Sequence, residues 1–315
     1  MDLQDASPNR RFTHRSARAK VNLALAVDQP TGGGDAMHPI CSWMARIDLA
    51  DDLLVTRLED DRLSRYAIRW HDEAPIKTNI DWSITADLAV RAHLLLEDEA
   101  ARRLPVQLRL DKRIPVGGGL GGGSADAAAT LSAVNELFDL NIPHDRLAQL
   151  ALTLGSDVPF FISDHPTGIV SGLGESFEPT APVSAALVLI FPAFGCPTGP
   201  VYRAFDNLPA ASFRADTIRA LARADSIDSS QLFNDLAPAA EAVAPRLTPL
   251  RARAAEVARR PVHITGSGST MFVVCPEGAH FAADLADDIQ SALADDTSPD
   301  LRAHATSLVA DTDNG

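Results

Sequence analysis

"PVGGGLGGGSADAAATL", residues Pro115–Leu131, carries six glycines in its first nine positions and then turns into an alanine-rich run. Glycine adopts positive φ angles and lets a ligand approach the main chain with no Cβ in between. Consecutive amides can then face one hollow, and the free N–H groups and positive dipole end of a following helix make that hollow favourable for an anion. A turn that binds nothing has no reason to bear the conformational entropy of so much glycine. Before the loop, "LPVQLRLDKRIPV" (104–116) alternates Val106, Leu108 and Leu110 on one face, as a half-buried strand does. After it, Ala128, Leu131, Val134, Leu137 and Phe138 fall on one helical stripe from Ala125 onward. Strand, glycine loop and helix start together read as a phosphate cradle. Ser124 stands where it caps the helix or offers a hydroxyl to a phosphate or metal.

Two common phosphate binders do not fit. A Walker A loop needs Lys and then Ser or Thr after its last glycine, but Gly123 is followed by Ser124 and Ala125. The dinucleotide fingerprint matches at Gly117, Gly119 and Gly122, yet a glycine run satisfies that spacing trivially. The acidic residue about twenty positions on, Asp139, follows a helix where the fingerprint wants a strand end.

The remaining chain bounds the chemistry. With 315 residues it is longer than one core usually supports, so two packed subdomains are expected. Apolar residues at 46% and charged residues at 22% are ordinary globular values. A formal charge of -14, from 42 acidic against 28 basic side chains, excludes a nucleic-acid or anionic-membrane surface as the expected partner. Three widely spaced cysteines, Cys41, Cys196 and Cys275, support neither a disulfide framework nor a zinc site, so a reduced cytoplasm is expected. "VNLALAV" (21–27) is too short and too polar at its end for export or membrane insertion.

Strands are predicted at 19–27, 43–50, 52–58, 66–70, 185–191, 262–266, 270–275 and 303–309, from short apolar or alternating runs bounded by Gly, Pro or Asp. Helices are predicted at 86–97, 145–154, 215–224, 248–259 and 279–293, with Gly155 as the cap of the second. "SDVPFFI" (156–162) is expected to form an apolar strand right after Asp157. The arginine-bearing start reads as an exposed arm, and 294–300 and 311–315 as solvated acidic loops.

Lys20 and Asn22 are two apart on the first strand, so both side chains leave one face. Lys20 on its own reads equally as a surface lysine, Asp157 as a turn aspartate, and "GSGS" (266–269) as a tight turn. Three separated stretches in order, "AKVNLAL" from Ala19, the glycine loop, and "HITGSGSTMFV" from His263, resemble the GHMP kinases, named for galactokinase, homoserine kinase, mevalonate kinase and phosphomevalonate kinase. "LTLGSDVPFF" (152–161) adds to the likeness.

The resemblance implies a two-domain α+β architecture: an N-terminal ribosomal-protein-like α/β domain over 1–165 that binds ATP, and a C-terminal ferredoxin-like substrate domain over 166–315. It implies ATP and Mg²⁺ as cofactors, with Pro115, Val116, Gly117, Gly118, Gly119, Leu120, Gly121, Gly122, Gly123, Ser124 and Ala125 around the phosphates. Asp87 and Lys112 would lie by the adenine. Asp157 and Lys20 would be the catalytic pair, the carboxylate facing the acceptor hydroxyl and the ammonium balancing its charge. Asn22, together with Gly266, Ser267 and Gly268, would line the substrate site.

Within the family the likeness is greatest to the branch whose acceptor is a cytidylyl methylerythritol, where Thr198 and Tyr202 of "GCPTGPVY" and His38 would hold the cytosine. Three positions depart from that branch: Met37 in place of a tyrosine, Ala125 in place of a second serine, and Asp87 in place of an asparagine. Ala125 is therefore expected to leave one phosphate or metal hydroxyl contact missing or moved. A mevalonate- or homoserine-type kinase, or a non-catalytic nucleotide-binding relative, remain the alternatives. No oligomeric state follows from the sequence.

Overall fold

The computed structural model describes residues 11–30, 37–209, 211–294 and 298–310. The amino-terminal arm and both acidic stretches lie partly or wholly outside the described residues.

One long pair forms the spine. β1 (Phe12–Val27) and β2 (Ile40–Arg57) run antiparallel along their whole length. The sequence predicts two strands where β2 is one, because Asp51 and Asp52 look like a break. Asp51 is instead fully buried and satisfied: it accepts from Lys112 Nζ at 2.5 Å, from the Ile114 amide at 2.7 Å and from the Arg113 amide.

The other edge of β2 is shared. β4 (Val106–Lys112) pairs near its end and β5 (Thr167–Gly172) near its start. Outside these lie β3 (Arg65–Trp70), parallel to β4, and β6 (Ser176–Pro179), antiparallel to β5. The first sheet thus continues in sequence to Pro179.

The helices α1 (Leu88–Glu99), α2 (Gly122–Leu137), α3 (His144–Leu154) and α4 (Val158–Ile162) cover this sheet around Leu53, Val55, Leu108 and Leu110. Burying each such leucine contributes about 1.5–3 kcal/mol. Helix α2 starts three residues before Ala125, with left-handed Gly121 as its cap, so Ser124 lies inside the first turn. Residues 158–162, expected as a strand, form α4; Pro159 sits in its first turn, where a missing N–H does no harm.

A second sheet has the order β10 (Arg302–Ser307), β7 (Ala186–Phe191), β9 (Met271–Cys275), β8 (His263–Ile264). Its alternation assigns each face. Leu187, Leu189, Phe191, Phe272 and Val274 turn toward β1 and β2, meeting Ala19, Val21, Leu23, Trp43 and Ile47. Val188, Ile190, Met271 and Val273 turn the other way, against a layer holding α5 (Thr198–Phe205), α7 (Ala237–Val243), α8 (Leu247–Ala258) and α9 (Ala279–Leu293). α6 (Ala215–Leu221) packs beside the core between the sheets through Ile218.

β1 serves both layers because its register shifts between Asn22 and Ala24. Before the shift Ala19, Val21 and Leu23 face the core between the sheets; after it Ala24 and Ala26 do, and Leu25 and Val27 turn into the outer core of the second sheet. An extra residue in one strand has this effect, since side chains alternate with period two.

Candidate active site

A cleft of about 910 Å³ opens where the glycine loop, β1, α5 and the 266–267 turn meet. The loop's conformation answers its composition. Gly117, Gly119 and Gly121 have φ of 73°, 78° and 70°, where a side chain is strained. At Gly119 the backbone of another loop leaves no room, for a Cβ there would stand 2.3 Å from the Thr265 carbonyl oxygen. The two small-residue turns therefore pack main chain to main chain, and the Thr270 amide donates to Gly118 O at 3.3 Å. Gly122, Gly123 and Ser124 open α2, whose first amides have no intrahelical acceptor and face an incoming anion.

Lys20 is buried, at 3% exposure, beneath this loop. Its Nζ donates to Asn22 Oδ1 at 2.5 Å and to Gly119 O at 3.1 Å, and stands 3.3 Å from Asp157 Oδ2. Its amide donates to Leu120 O at 2.9 Å, tying loop to strand. Asn22 is fixed in turn, donating from its amide to Thr265 Oγ1 at 2.9 Å and from Nδ2 to Ser42 Oγ at 2.7 Å. Asp157 immediately precedes α4 and is only 27% exposed at its side chain, so the pair meets at the cleft floor.

Across the cleft lies a cluster of side chains. His38 Nε2 and Asp206 Oδ1 are 2.6 Å apart, and the His38 ring lies 5.0 Å from Tyr202 and 5.8 Å from Phe205. Burial pushes the Tyr202 phenol up to about 12, helped by the nearby negative charge of Asp157. Thr198 Oγ1 lies 3.1 Å from Ser267 Oγ, closing the far wall. Met37 is 57% exposed at the rim.

The remaining predicted residues divide. Pro115 through Ser124, Asp87, Lys112, Gly266 and Ser267 all line the cleft. Asp87 is occupied within the chain: it caps α1 by accepting from the Ala89 amide at 2.9 Å, and accepts from Trp82 Nε1 at 3.0 Å. Lys112 is held by Asp51 at 2.5 Å and Asp126 at 2.6 Å. Burial alone would pull its ammonium down, but the two carboxylates outweigh burial and hold it above the lysine range. Burial pushes Asp126 well up, against the pull of Lys112.

Two residues face elsewhere. Gly268 turns toward Ile264 and Cys196. Ala125 turns away from the cleft to a groove behind α2, lined also by Arg15, Arg18 and Phe161. Its side chain is not among those that line the cleft.

Sequence reasoning missed Asp206, Trp82 and Asp126. Asp206 had a signal, lying four residues after Tyr202 on one face of α5. Asp126 had none, because its partners come from positions 51 and 112.

The glycine loop, the start of α2 and Asp157 all fall within the part of the chain that matches a known kinase family. Residues 87–165 match the family model described as "GHMP kinases N terminal domain". A 4-diphosphocytidyl-2-C-methyl-D-erythritol kinase from Pelotomaculum thermopropionicum is 36% identical over 81% of this chain and 86% of its own length. One from a Nocardioides species is 34% identical over 88% and 92%. A crystal structure of 4-(cytidine 5'-diphospho)-2C-methyl-D-erythritol kinase superposes with a TM-score of 0.73 at 32% identity, covering 94% of this chain and 99% of that one. A homoserine kinase from Cytophaga hutchinsonii, at TM-score 0.68 and 15% identity over 98% of this chain and 97% of that one, shares the fold.

The chain belongs to the 4-diphosphocytidyl-2-C-methyl-D-erythritol kinase family. It is accordingly an ATP-using phosphotransferase with an alcohol acceptor. Among the described residues no helix is long and apolar enough to cross a membrane.

Proposed function

We propose that this chain transfers the γ-phosphoryl group of ATP to the 2-hydroxyl of 4-diphosphocytidyl-2-C-methyl-D-erythritol, giving the 2-phosphate and ADP in the non-mevalonate isoprenoid pathway. The observation that carries the reading is the 3.3 Å approach of Lys20 Nζ to Asp157 Oδ2 beside the glycine loop. Phosphoryl transfer is mostly positioning and charge stabilisation. In this reading the loop amides grip the phosphates, Lys20 offsets charge at the transferred group, and Asp157 orients the acceptor hydroxyl and takes its proton.

Mg²⁺ fits this site as an ion carried in with the nucleotide. Among the described residues no three His, Cys, Asp or Glu side chains gather to hold a metal by themselves. Ser124, whose hydroxyl lies in the first turn of α2 on the cleft wall, would be its protein ligand, with phosphate oxygens supplying the others. When bound, the ion supplies charge neutralisation on the phosphates.

The cytidine end follows from hydrogen-bond chemistry. Asp206 accepts, so His38 donates to it from Nε2; in the neutral imidazole Nδ1 is then an acceptor for the amino group of cytosine. Tyr202 offers the ring against which the base stacks. Asn22, Thr198 and the Gly266–Ser267 turn complete the acceptor's side of the cleft.

The test is coupled ADP release by purified protein with the cytidylyl methylerythritol, mevalonate and homoserine. Turnover is expected with the first alone. Turnover with mevalonate or homoserine in its place would overturn the substrate assignment.

A further inference from the structure

Arg46 stands on β2 directly opposite Lys20 in the β1–β2 register. Its Nη2 donates to three carbonyls, those of Phe160 and Phe161 at 3.1 Å each and that of Ser163 at 2.6 Å. All three gather at the C-terminal end of α4. The last carbonyls of a helix lack intrahelical partners and carry the negative end of its dipole, so a guanidinium there is both donor and counter-charge. A helix of five residues cannot hold itself by its own bonds, so its placement depends on what grips it.

The grip extends to the rings. Arg46 Cζ lies 5.5 Å from the Phe160 centroid and 5.9 Å from that of Phe161, within cation–π range. The Arg46 amide also donates to Pro166 O at 2.8 Å, fixing the chain just past α4. Burial pulls the guanidinium down to about 10, opposed by Asp164, and its Nε is buried with no acceptor among the described residues. A charge is kept here in spite of desolvation.

The position of α4 reaches the reacting groups at two points. Asp157 is the residue that leads into it. The Phe161 ring lies against the glycine loop beside the Lys20 stem, for a Cβ built on Gly121 would stand 3.0 Å from Phe161 Cζ and 3.1 Å from Lys20 Cε. We infer that Arg46 is a positioning residue for phosphoryl transfer: by clamping the end carbonyls of α4 it sets the approach of Asp157 to Lys20 and seats Phe161 as the wall behind Lys20. The inference rests on the reading of Lys20 and Asp157 as the reacting pair.

Steady-state kinetics of Arg46→Met, Arg46→Lys, Asp157→Asn and the Arg46→Met/Asp157→Asn double variant test it, with ATP and the cytidylyl methylerythritol. Arg46→Met removes the three bonds and is expected to lower kcat at least about tenfold while the KM for ATP stays within about twofold. Arg46→Lys, which keeps the charge, is expected to recover part of that loss. A residue that only supports the fold would lower the melting temperature and leave kcat per folded molecule unchanged, and that result overturns the inference. So does a KM for ATP that rises in step with the fall in kcat.

Should Arg46→Met fail to fold, Arg46→Lys decides alone: about a threefold lower kcat at unchanged KM supports the role, since one ammonium replaces a planar fork, and wild-type kcat overturns it. The double variant is expected to lose less than the product of the two single losses, because Arg46 acts in part through the Asp157 carboxylate; fully additive losses would overturn the inference. Asp157→Asn also separates the two readings. Turnover surviving in it removes the reacting pair itself, whereas loss there with none in Arg46→Met removes only the positioning role.

Discussion

The two ends of the cleft are built from different material. At the phosphate end the contacts are main-chain amides on a loop whose left-handed glycines are wedged against a second loop, with Lys20 buried beneath. At the cytidine end they are side chains, His38, Tyr202 and Asp206, on a short helix and a strand-edge loop, with Met37 exposed at the rim. A backbone site is set by where glycine must be and accepts almost no substitution. A side-chain site can exchange one group for another more readily than a backbone site can. In the proposed reading the glycine-loop end holds the phosphates and the His38–Tyr202 end carries the choice of acceptor.

The contrast can be broken or sharpened by four substitutions. Asp157→Asn is nearly isosteric but uncharged, and kcat is expected to fall by about 10²–10⁴-fold, with nucleotide affinity by calorimetry nearly unchanged. Gly121→Val forces a β-branched residue into φ 70° and against Phe161 and Lys20. ATP binding is expected to weaken at least about tenfold, since strain of 1–3 kcal/mol falls on the cradle; an unchanged Kd would mean the amides do not hold the nucleotide.

Tyr202→Leu keeps an apolar wall and removes the stacking face. The expected rise is in the KM for the cytidylyl acceptor, about 5- to 150-fold for a stack worth ~1–3 kcal/mol, with the KM for ATP unmoved. Equal rises in both would blur the division between the two ends. The smallest effect is expected for Ala125→Ser. Because Ala125 is buried on the groove side of α2 and does not line the cleft, the KM for ATP should stay within about twofold, and the cost of the added hydroxyl should fall on the melting temperature instead.

The same division explains what the sequence made legible. The cradle could be read from local pattern, a glycine run before a helix, whereas Lys20, Asn22 and Asp157, each with a plain local reading as strand or turn residues, took their roles from the family likeness. His38 and Tyr202, 164 positions apart, were reached only through family likeness, and the structure brings their rings to 5.0 Å. Residues 158–162 look like a strand because they are apolar and brief. In the structure they form a helix whose end carbonyls accept from Arg46, more than a hundred positions earlier, a partner that the local pattern does not reveal. The Asp51–Lys112–Asp126 group escaped notice for the same reason: an aspartate inside a strand signals a break unless its distant cation is known. Ala125 was singled out by family likeness, and its side chain lies on the groove behind α2 while Ser124 and Asp126 line the cleft.

The register shift in β1 bears on how the molecule holds together. Because one strand lends Ala19, Val21 and Leu23 to the packing between the sheets and Leu25 and Val27 to the far layer, it acts as a common axle. Severing the chain between the two sheets would leave apolar side chains of the first fragment facing water, so neither half is expected to survive expression by itself. Heat or urea should then melt both layers in one transition, and a probe in the glycine loop would report the same midpoint as one in the carboxy-terminal helix.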